Sequence, residues 1–390
     1  MSDFIFNTTR TIINEIGAAE KLARICFDLD VQRVLLITDS GIVDAGLLRS
    51  VLPGFSELKI DVRAFQDVEP DPSDLTVINA TEAATDMNAQ LIVGMGGGSS
   101  MDVAKLVAVL AHPECEQTLK SLYGVDQVFS ARLPLIQIPT TAGTGSEVTP
   151  VAIVTTGSTT KAGIVSAVLQ PDIALLDARL TLGLPAKVTA ATGIDAMVHA
   201  IEAFTSAHKK NPISDMLAKQ ALQLLGANIR LAVQDGKNLT ARSNMLLGAL
   251  LAGQAFANAP VAAVHALAYP LGGHFHIPHG LSNSLVLPHV LRFNAAFAHE
   301  EYAALAPYIM GDEFNDIESK DSADITEAMI CWMENLIASL ELPNRLRDCS
   351  VPEQAIPKLA GDAMQQSRLL VNNPRDVSQR DAIAIYEAAY

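Results

Sequence analysis

Leu91-Ile92-Val93-Gly94-Met95-Gly96-Gly97-Gly98-Ser99-Ser100-Met101-Asp102 is the stretch from which the fold is read. It begins as a continuous apolar run, passes through three consecutive glycines, and leads into a second apolar segment, Val103 to Leu110. An apolar run of this length without alternation fits a strand buried on both faces, as in a parallel sheet covered by helices. The glycines allow close backbone approach to a ligand, and N–H groups at the start of the following helix favour an anion such as a diphosphate. A flexible linker is the competing reading, but linkers rarely join a buried strand to an apolar helix. The spacing is not G-x-G-x-x-G, so the standard dinucleotide fingerprint is absent.

Similar runs flank this one. Val34 to Asp39 is a strand candidate followed by a helix from Val43 to Leu52. Val62 to Phe65 is another, closed by Glu69-Pro70-Asp71-Pro72, and Ser73 then caps a helix reaching about Met87. Leu133 to Ile138 and Ile173 to Leu176 complete the set. Strands alternating with amphipathic helices imply βαβ units and a parallel sheet. Beyond about Pro185 the texture changes to longer Ala- and Leu-rich segments of period 3.6, among them Asp215–Leu225, Ser243–Phe256, Ile325–Leu340 and Arg380–Ala389. The sequence therefore predicts an α/β nucleotide-binding domain over residues 1–183 and an all-helical domain over 184–390.

Composition narrows the function. Of 390 residues, 49% are hydrophobic and 18% charged, which describes a well-buried globular chain. The formal net charge is −16 and no basic run occurs, so nucleic acid is not an expected partner. Apolar runs are broken well short of a membrane span, and the N-terminus lacks the pattern of a signal peptide. Cys26, Cys115, Cys331 and Cys349 are scattered, as expected for reduced thiols of a cytoplasmic protein.

Three further segments carry polar chemistry. Asp39 ends its strand where a carboxylate can accept from a ribose 2′-hydroxyl and repel a 2′-phosphate, although a turn-forming Asp before Ser-Gly looks the same. Pro139 to Pro150 is dense in hydroxyls and glycines directly after a strand, and Lys161, expected in a polar turn, is a candidate phosphate contact. In the second half, Asp195 and His199 are four apart and share one face of a helix. Residues 258–280 hold His265, His274, His276 and His279, out of nine histidines in the chain. A carboxylate with three imidazoles forms an N3O set suited to Fe²⁺, Zn²⁺ or Mn²⁺. Histidines that merely satisfy buried carbonyls are the alternative.

Taken in order, Gly96-Gly97-Gly98-Ser99-x-x-Asp102, Pro139 to Glu147, Gly193-x-Asp195-x-x-x-His199-x-x-Glu202, and His265-Ala266-x-Ala268 followed by Pro278-His279-Gly280 resemble the motifs of iron-containing (group III) alcohol dehydrogenases. Asn373-Pro374-Arg375 resembles that family's C-terminal segment, so the likeness covers nearly the whole chain. It implies an NAD(H)-dependent alcohol dehydrogenase or carbonyl reductase, usually homo-oligomeric, acting on a small alcohol or carbonyl substrate. By similarity the metal ligands are Asp195, His199, His265 and His279, with His265 and His279 also counted with Tyr269 as catalytic. Cofactor contacts fall on Asp39, Gly97, Gly98, Ser99, Thr140, Thr141, Thr149 and Lys161; Asp102 and Thr144, in the same motifs, and Asp71 join them. There are two departures from the family pattern. Tyr269 stands where many members carry a second histidine, and Asp71 stands where the family usually has Asn between prolines. Related readings are an oxo-acid reductase or hydroxyacid–oxoacid transhydrogenase of the same fold, and, in another class, a lyase resembling dehydroquinate synthase.

Overall fold

Strand β4, Leu91–Gly96, is buried along its entire length, as an unbroken apolar run requires when helices cover both sheet faces. The computed structural model describes residues 3–157 and 160–390. It sets β4 inside a six-stranded sheet of order β1-β9-β6-β4-β2-β3 in which every pairing is parallel. The other strands are β1 Thr11–Asn14, β2 Arg33–Ile37, β3 Asp61–Phe65, β6 Leu135–Pro139 and β9 Ile173–Leu176. Each strand expected from the apolar runs lies in this sheet. The edge strand β1 escaped notice because most of its four residues face solvent and give no apolar run.

Chain order reverses beside β2: β3 lies on one side of it and β4 on the other. In open α/β sheets, ligands settle at the carboxyl ends of the strands flanking such a reversal. Asp39 follows β2 and the triple glycine follows β4, so the topology brings these two candidates to that place.

Two local readings need correction. The helix expected over Val43 to Leu52 is three short pieces, Ser40–Asp44, the 3-10 turn Leu47–Ser50 and Leu52–Glu57. Gly46 adopts a left-handed φ of 72° between the first two, which ends the helix. Lys161 is in a strand rather than a turn. β7 (Val151–Thr156) and β8 (Thr160–Val165) pair antiparallel with Thr155 opposite Lys161, and β5 (Gly124–Val125) adds to β8 in a small second sheet. Ala152, Val154 and Ile164 bury the inner face of this sheet in one cluster with Val103 and Val107 of the Gly98–Leu110 helix.

Residues Asn7–Gly183 form one compact unit, and Leu184–Tyr390 with Met1–Phe6 form another. The second is built of helices, chiefly Ala186–Thr205, Pro212–Gln234, Leu239–Asn258, Ala263–Phe275, His279–Met310 and Ser322–Ser339. Asn211 and Ser214 close a capping box at the start of the Pro212 helix, an entry signal written in the local sequence. The Ala186–Thr205 helix is buried on nearly every face, so its neighbours surround it and its polar residues must find partners among them. Among the described residues no single helix is long and apolar enough to cross a membrane.

Candidate metal centre and cofactor loops

Asp195 and His199 project from one face of the central Ala186–Thr205 helix and are 2% and 4% exposed. His265 lies in the first turn of the Ala263–Phe275 helix, and His279 opens the His279–Met310 helix directly after Pro278. One ligand atom from each of the four lies within 4.8 Å of the others. Among the described residues this is the one group of three or more His, Cys, Asp or Glu donors that converges in this way. The approach of the last helix depends on Gly280, where a Cβ would fall 2.3 Å from the Ala191 carbonyl oxygen and 3.3 Å from Asp195 Cβ. Any side chain there would push His279 away from Asp195.

The donor set fits a divalent cation. Asp195 Oδ1 is 3.5 Å from His279 Nε2 and 3.9 Å from His265 Nε2, a spacing that bonds of ~2.0–2.2 Å can gather. Three nitrogens and one carboxylate oxygen suit a borderline metal and leave a coordination position for substrate. Three of the side chains are buried, whereas His279 is partly open, so access is from its side. Burial alone would push the Asp195 carboxyl up, but His199, His279, His265 and the Asn283 amide hold it below its ordinary range. It therefore stays ionised, as a ligand must.

A second layer fixes the ligands. The buried Glu202 carboxylate accepts from the backbone N–H of Ala262 (2.9 Å) and Val264 (2.6 Å) and from His265 Nδ1 (2.7 Å). It thereby caps the Ala263–Phe275 helix, whose own N-cap residue offers no side-chain acceptor. Because Nδ1 carries the proton given to Glu202, the lone pair of His265 is on Nε2, facing the site. His199 is stacked between Phe256 and His265, at 4.4 and 4.7 Å between ring centroids. Tyr269, one turn beyond His265, has its ring 5.8 Å from that of His279. The remaining two histidines of the cluster lie apart from the site: His274 pairs with Asp362 at 2.6 Å, and His276 is the exposed, left-handed C-cap of its helix.

In the sheet unit the two polar loops face each other. A Cβ on Gly98 would fall 3.0 Å from Thr144 Cγ2, and one on Gly97 3.8 Å from Thr141 Oγ1. Gly96 holds a φ of 155° with Ser100 and Asp39 packed where a side chain would go. Asp39 uses Oδ1 to cap the Ser40 helix and accepts from Ser100 through Oδ2. Its carboxylate also retains free lone pairs. Gly97, Gly98, Ser99, Thr141 and Thr144 are partly exposed, whereas Thr140 and Thr149 are buried. Asp71 forms an ion pair with Lys161 at 2.5 Å.

Asp102 serves the loop from behind. Its Oδ1 accepts from Ser146 Oγ and its Oδ2 from the Ile153 N–H. The fully buried Lys105 lies 3.5 Å from Oδ1 and also donates to Ser146, Thr149 and the Val151 carbonyl. Burial pushes the Asp102 carboxyl up and the Lys105 ammonium down, each opposed by the other's charge. Nearby Glu147, fully buried, is pushed up to about 7 by that burial. Lys105, Glu202 and Asn283 had not been singled out as site residues from the sequence. The signals were present: a lone lysine three residues after Asp102 in an apolar helix, and polar residues one turn past His199 and His279.

Models of the iron-containing alcohol dehydrogenase family match residues 9–178, and its C-terminal domain model matches residues 189–390. The chain is 39% identical over 379 residues to long-chain-alcohol dehydrogenase 1 of Geobacillus thermodenitrificans, covering 96% of this chain and 93% of that one. The structure of a 1,3-propanediol oxidoreductase superposes with a TM-score of 0.95 at 34% identity over the full length of both chains. That of sulfoacetaldehyde reductase from Bifidobacterium kashiwanohense, in complex with NAD+, does so at 0.87 and 29% identity, covering 100% of this chain and 99% of that one. With both halves matched by its models, the chain belongs to the iron-containing alcohol dehydrogenase family.

Proposed function

We propose that the chain is an NAD(H)-dependent, divalent-metal-assisted alcohol dehydrogenase that also runs as an aldehyde or ketone reductase. The observation that carries this reading is the convergence of Asp195, His199, His265 and His279 within 4.8 Å. These four residues hold the cation, and Glu202 keeps His265 in the tautomer that presents Nε2. A bound Fe²⁺, the metal we favour from the family description, or Zn²⁺ supplies Lewis acidity toward the substrate oxygen. Tyr269 is the side chain we assign to exchange a proton at that oxygen, since its ring lies against His279 on the more open side of the set.

In the sheet unit, the N–H groups of Gly97, Gly98 and Ser99 hold a diphosphate at a helix start, flanked by Thr141 and Thr144. Asp39 accepts from the adenosine ribose and disfavours a 2′-phosphate. Thr140, Thr149 and Asp102 support the loops, and Lys161, paired with Asp71, lies on the neighbouring strand. NAD, held by these residues, would supply the hydride acceptor or donor. A lyase of the dehydroquinate synthase kind needs several cationic side chains around a phosphorylated, carboxylated substrate; the metal segments offer only Lys209 and Lys210 nearby, and Lys210 is engaged by Asp215 and the Phe204 carbonyl. The proposal extends to a cytoplasmic, homo-oligomeric enzyme, supported by four unpaired cysteines and by exposed Ile12 on an edge strand.

The test starts with metal analysis of anaerobically purified protein. The same material is then assayed with NAD+ on primary alcohols, diols and hydroxy acids, and with NADH on the matching aldehydes and oxo acids. Turnover in neither direction by Fe²⁺- or Zn²⁺-loaded protein would end this reading. Tyr269→Phe is expected to retain metal while losing kcat and changing the pH profile.

A further inference from the structure

Asn283 lies one helical turn beyond His279 and is fully buried, and its two ends are treated unequally. Its Nδ2 is 2.5 Å from Asp195 Oδ1, 3.3 Å from His265 Nε2 and 3.3 Å from His279 Nε2. Its Oδ1 is buried with no hydrogen-bond partner among the described residues. A buried amide normally satisfies both ends, because an orphaned polar atom is destabilising. Turning the amide over would set its oxygen 2.5 Å from the Asp195 carboxylate oxygen, so that carboxylate dictates that the nitrogen faces the site. His265 Nε2 can accept as well in the neutral tautomer whose Nδ1–H donates to Glu202.

We propose that Asn283 is a positioning residue of the metal centre, an inference that rests on the metal reading given above. One N–H donates to Asp195 and the other lies toward His265 and His279, which holds the three side chains near one another before any cation arrives. An amide nitrogen has no lone pair to offer a metal, so it also bars coordination from the side it occupies. The open position for substrate is thereby confined to the rest of the site. Hydrogen bonds to liganding groups typically change metal affinity 10–100-fold when removed. Here one side chain contacts three of the four ligands.

Co²⁺ serves as the probe because its d–d absorption reports coordination number. Titration of wild-type protein with Co²⁺ comes first: failure to bind would defeat the metal reading itself, independently of Asn283. Asn283→Leu, similar in size and lacking N–H, is expected to bind Co²⁺ about 10–100-fold more weakly in chelator competition. Asn283→Asp keeps the shape but offers oxygen lone pairs beside the cation. Its Co²⁺ spectrum is expected to lose intensity as the coordination number rises. An Asn283→Leu affinity within about twofold of wild type, or an Asn283→Asp spectrum identical to wild type, would overturn the proposal. Should the leucine variant fail to fold, the isosteric aspartate variant decides.

Discussion

Replacing Glu202 by Gln removes one charge and converts one acceptor oxygen into a donor, and the consequences can be worked through atom by atom. Oε2 receives two hydrogen bonds, from the Ala262 N–H and His265 Nδ1, whereas Oε1 receives one, from the Val264 N–H. The glutamine oxygen therefore takes the Oε2 position, and its NH2 is left facing the Val264 N–H. The Val264 N–H loses its acceptor and the new NH2 finds none there, so two buried donor groups are left unmatched, each costing roughly 1–3 kcal/mol. The flipped amide would orphan the Ala262 N–H and His265 Nδ1 besides its own NH2 and is worse. Loss of the carboxylate also leaves His265 less basic, with an expected 10–100-fold fall in metal affinity. Urea unfolding of metal-free protein, followed by circular dichroism, measures the first effect, and chelator competition measures the second. Glu202→Ala leaves all three donors unmatched and should fall below Glu202→Gln in both. A Glu202→Gln protein within about 0.5 kcal/mol of wild type, with undiminished metal affinity, would refute the capping and tautomer argument together.

Glu147→Gln tests buried charge in the sheet unit. With a folded pKa near 7 against an ordinary 4.5, the folded state keeps a proton that the unfolded chain has lost. Stability should therefore fall as pH rises from about 4.5 to 7, by at most about 3 kcal/mol, and then level off. The glutamine variant should show a flatter profile, and unfolding midpoints at pH 5 and pH 8 make the comparison. Lys105→Met strands Asp102 without its ammonium and should destabilise by about 3–5 kcal/mol; a loss below about 1 kcal/mol would show that Ser146 and the Ile153 N–H suffice. Gly94→Ala places a Cβ 2.1 Å from Gln137 Oε1 and 2.8 Å from Ala104 Cβ. It should lower stability by about 1–3 kcal/mol, readable as a shift in the urea midpoint at unchanged slope.

The parallel sheet was legible because strands buried on both faces must be apolar throughout, and such runs as Leu91–Met95 stand out without alignment. The β7–β8 hairpin was not, because its half-buried strands mix Thr155, Thr156, Lys161 and Gly163 with apolar residues and read as polar loop. A helix over Val43 to Leu52 failed on one backbone angle at Gly46, invisible to periodicity. In the site, Asp195 and His199 were legible because a helix turns them to one side and two later histidines complete a ligand set; the pair alone is a weak signal. Glu202 and Asn283 each follow a histidine by one turn, but that position alone does not say what they touch. Apart from His279, one turn from Asn283, their partners are distant in sequence: the Ala262 and Val264 backbone and His265 for Glu202, and Asp195 and His265 for Asn283. Lys105 was hidden for the same reason, since Ser146, Thr149 and Val151 are distant in sequence.

The four donors come from three helices of one unit, two of them supplied by the Ala186–Thr205 helix at its centre. An ion held by all four would act as a rivet through that unit, fastening the Ala186–Thr205 helix to two helices that follow it much later in the chain. Whatever binds the folded form alone shifts unfolding by mass action, by about 4 kcal/mol when the free ion is a thousandfold above its Kd. Chelators would then act on this protein as mild denaturants. The lifetime of the helical unit against proteases would rise and fall with metal supply, whether or not any alcohol is present.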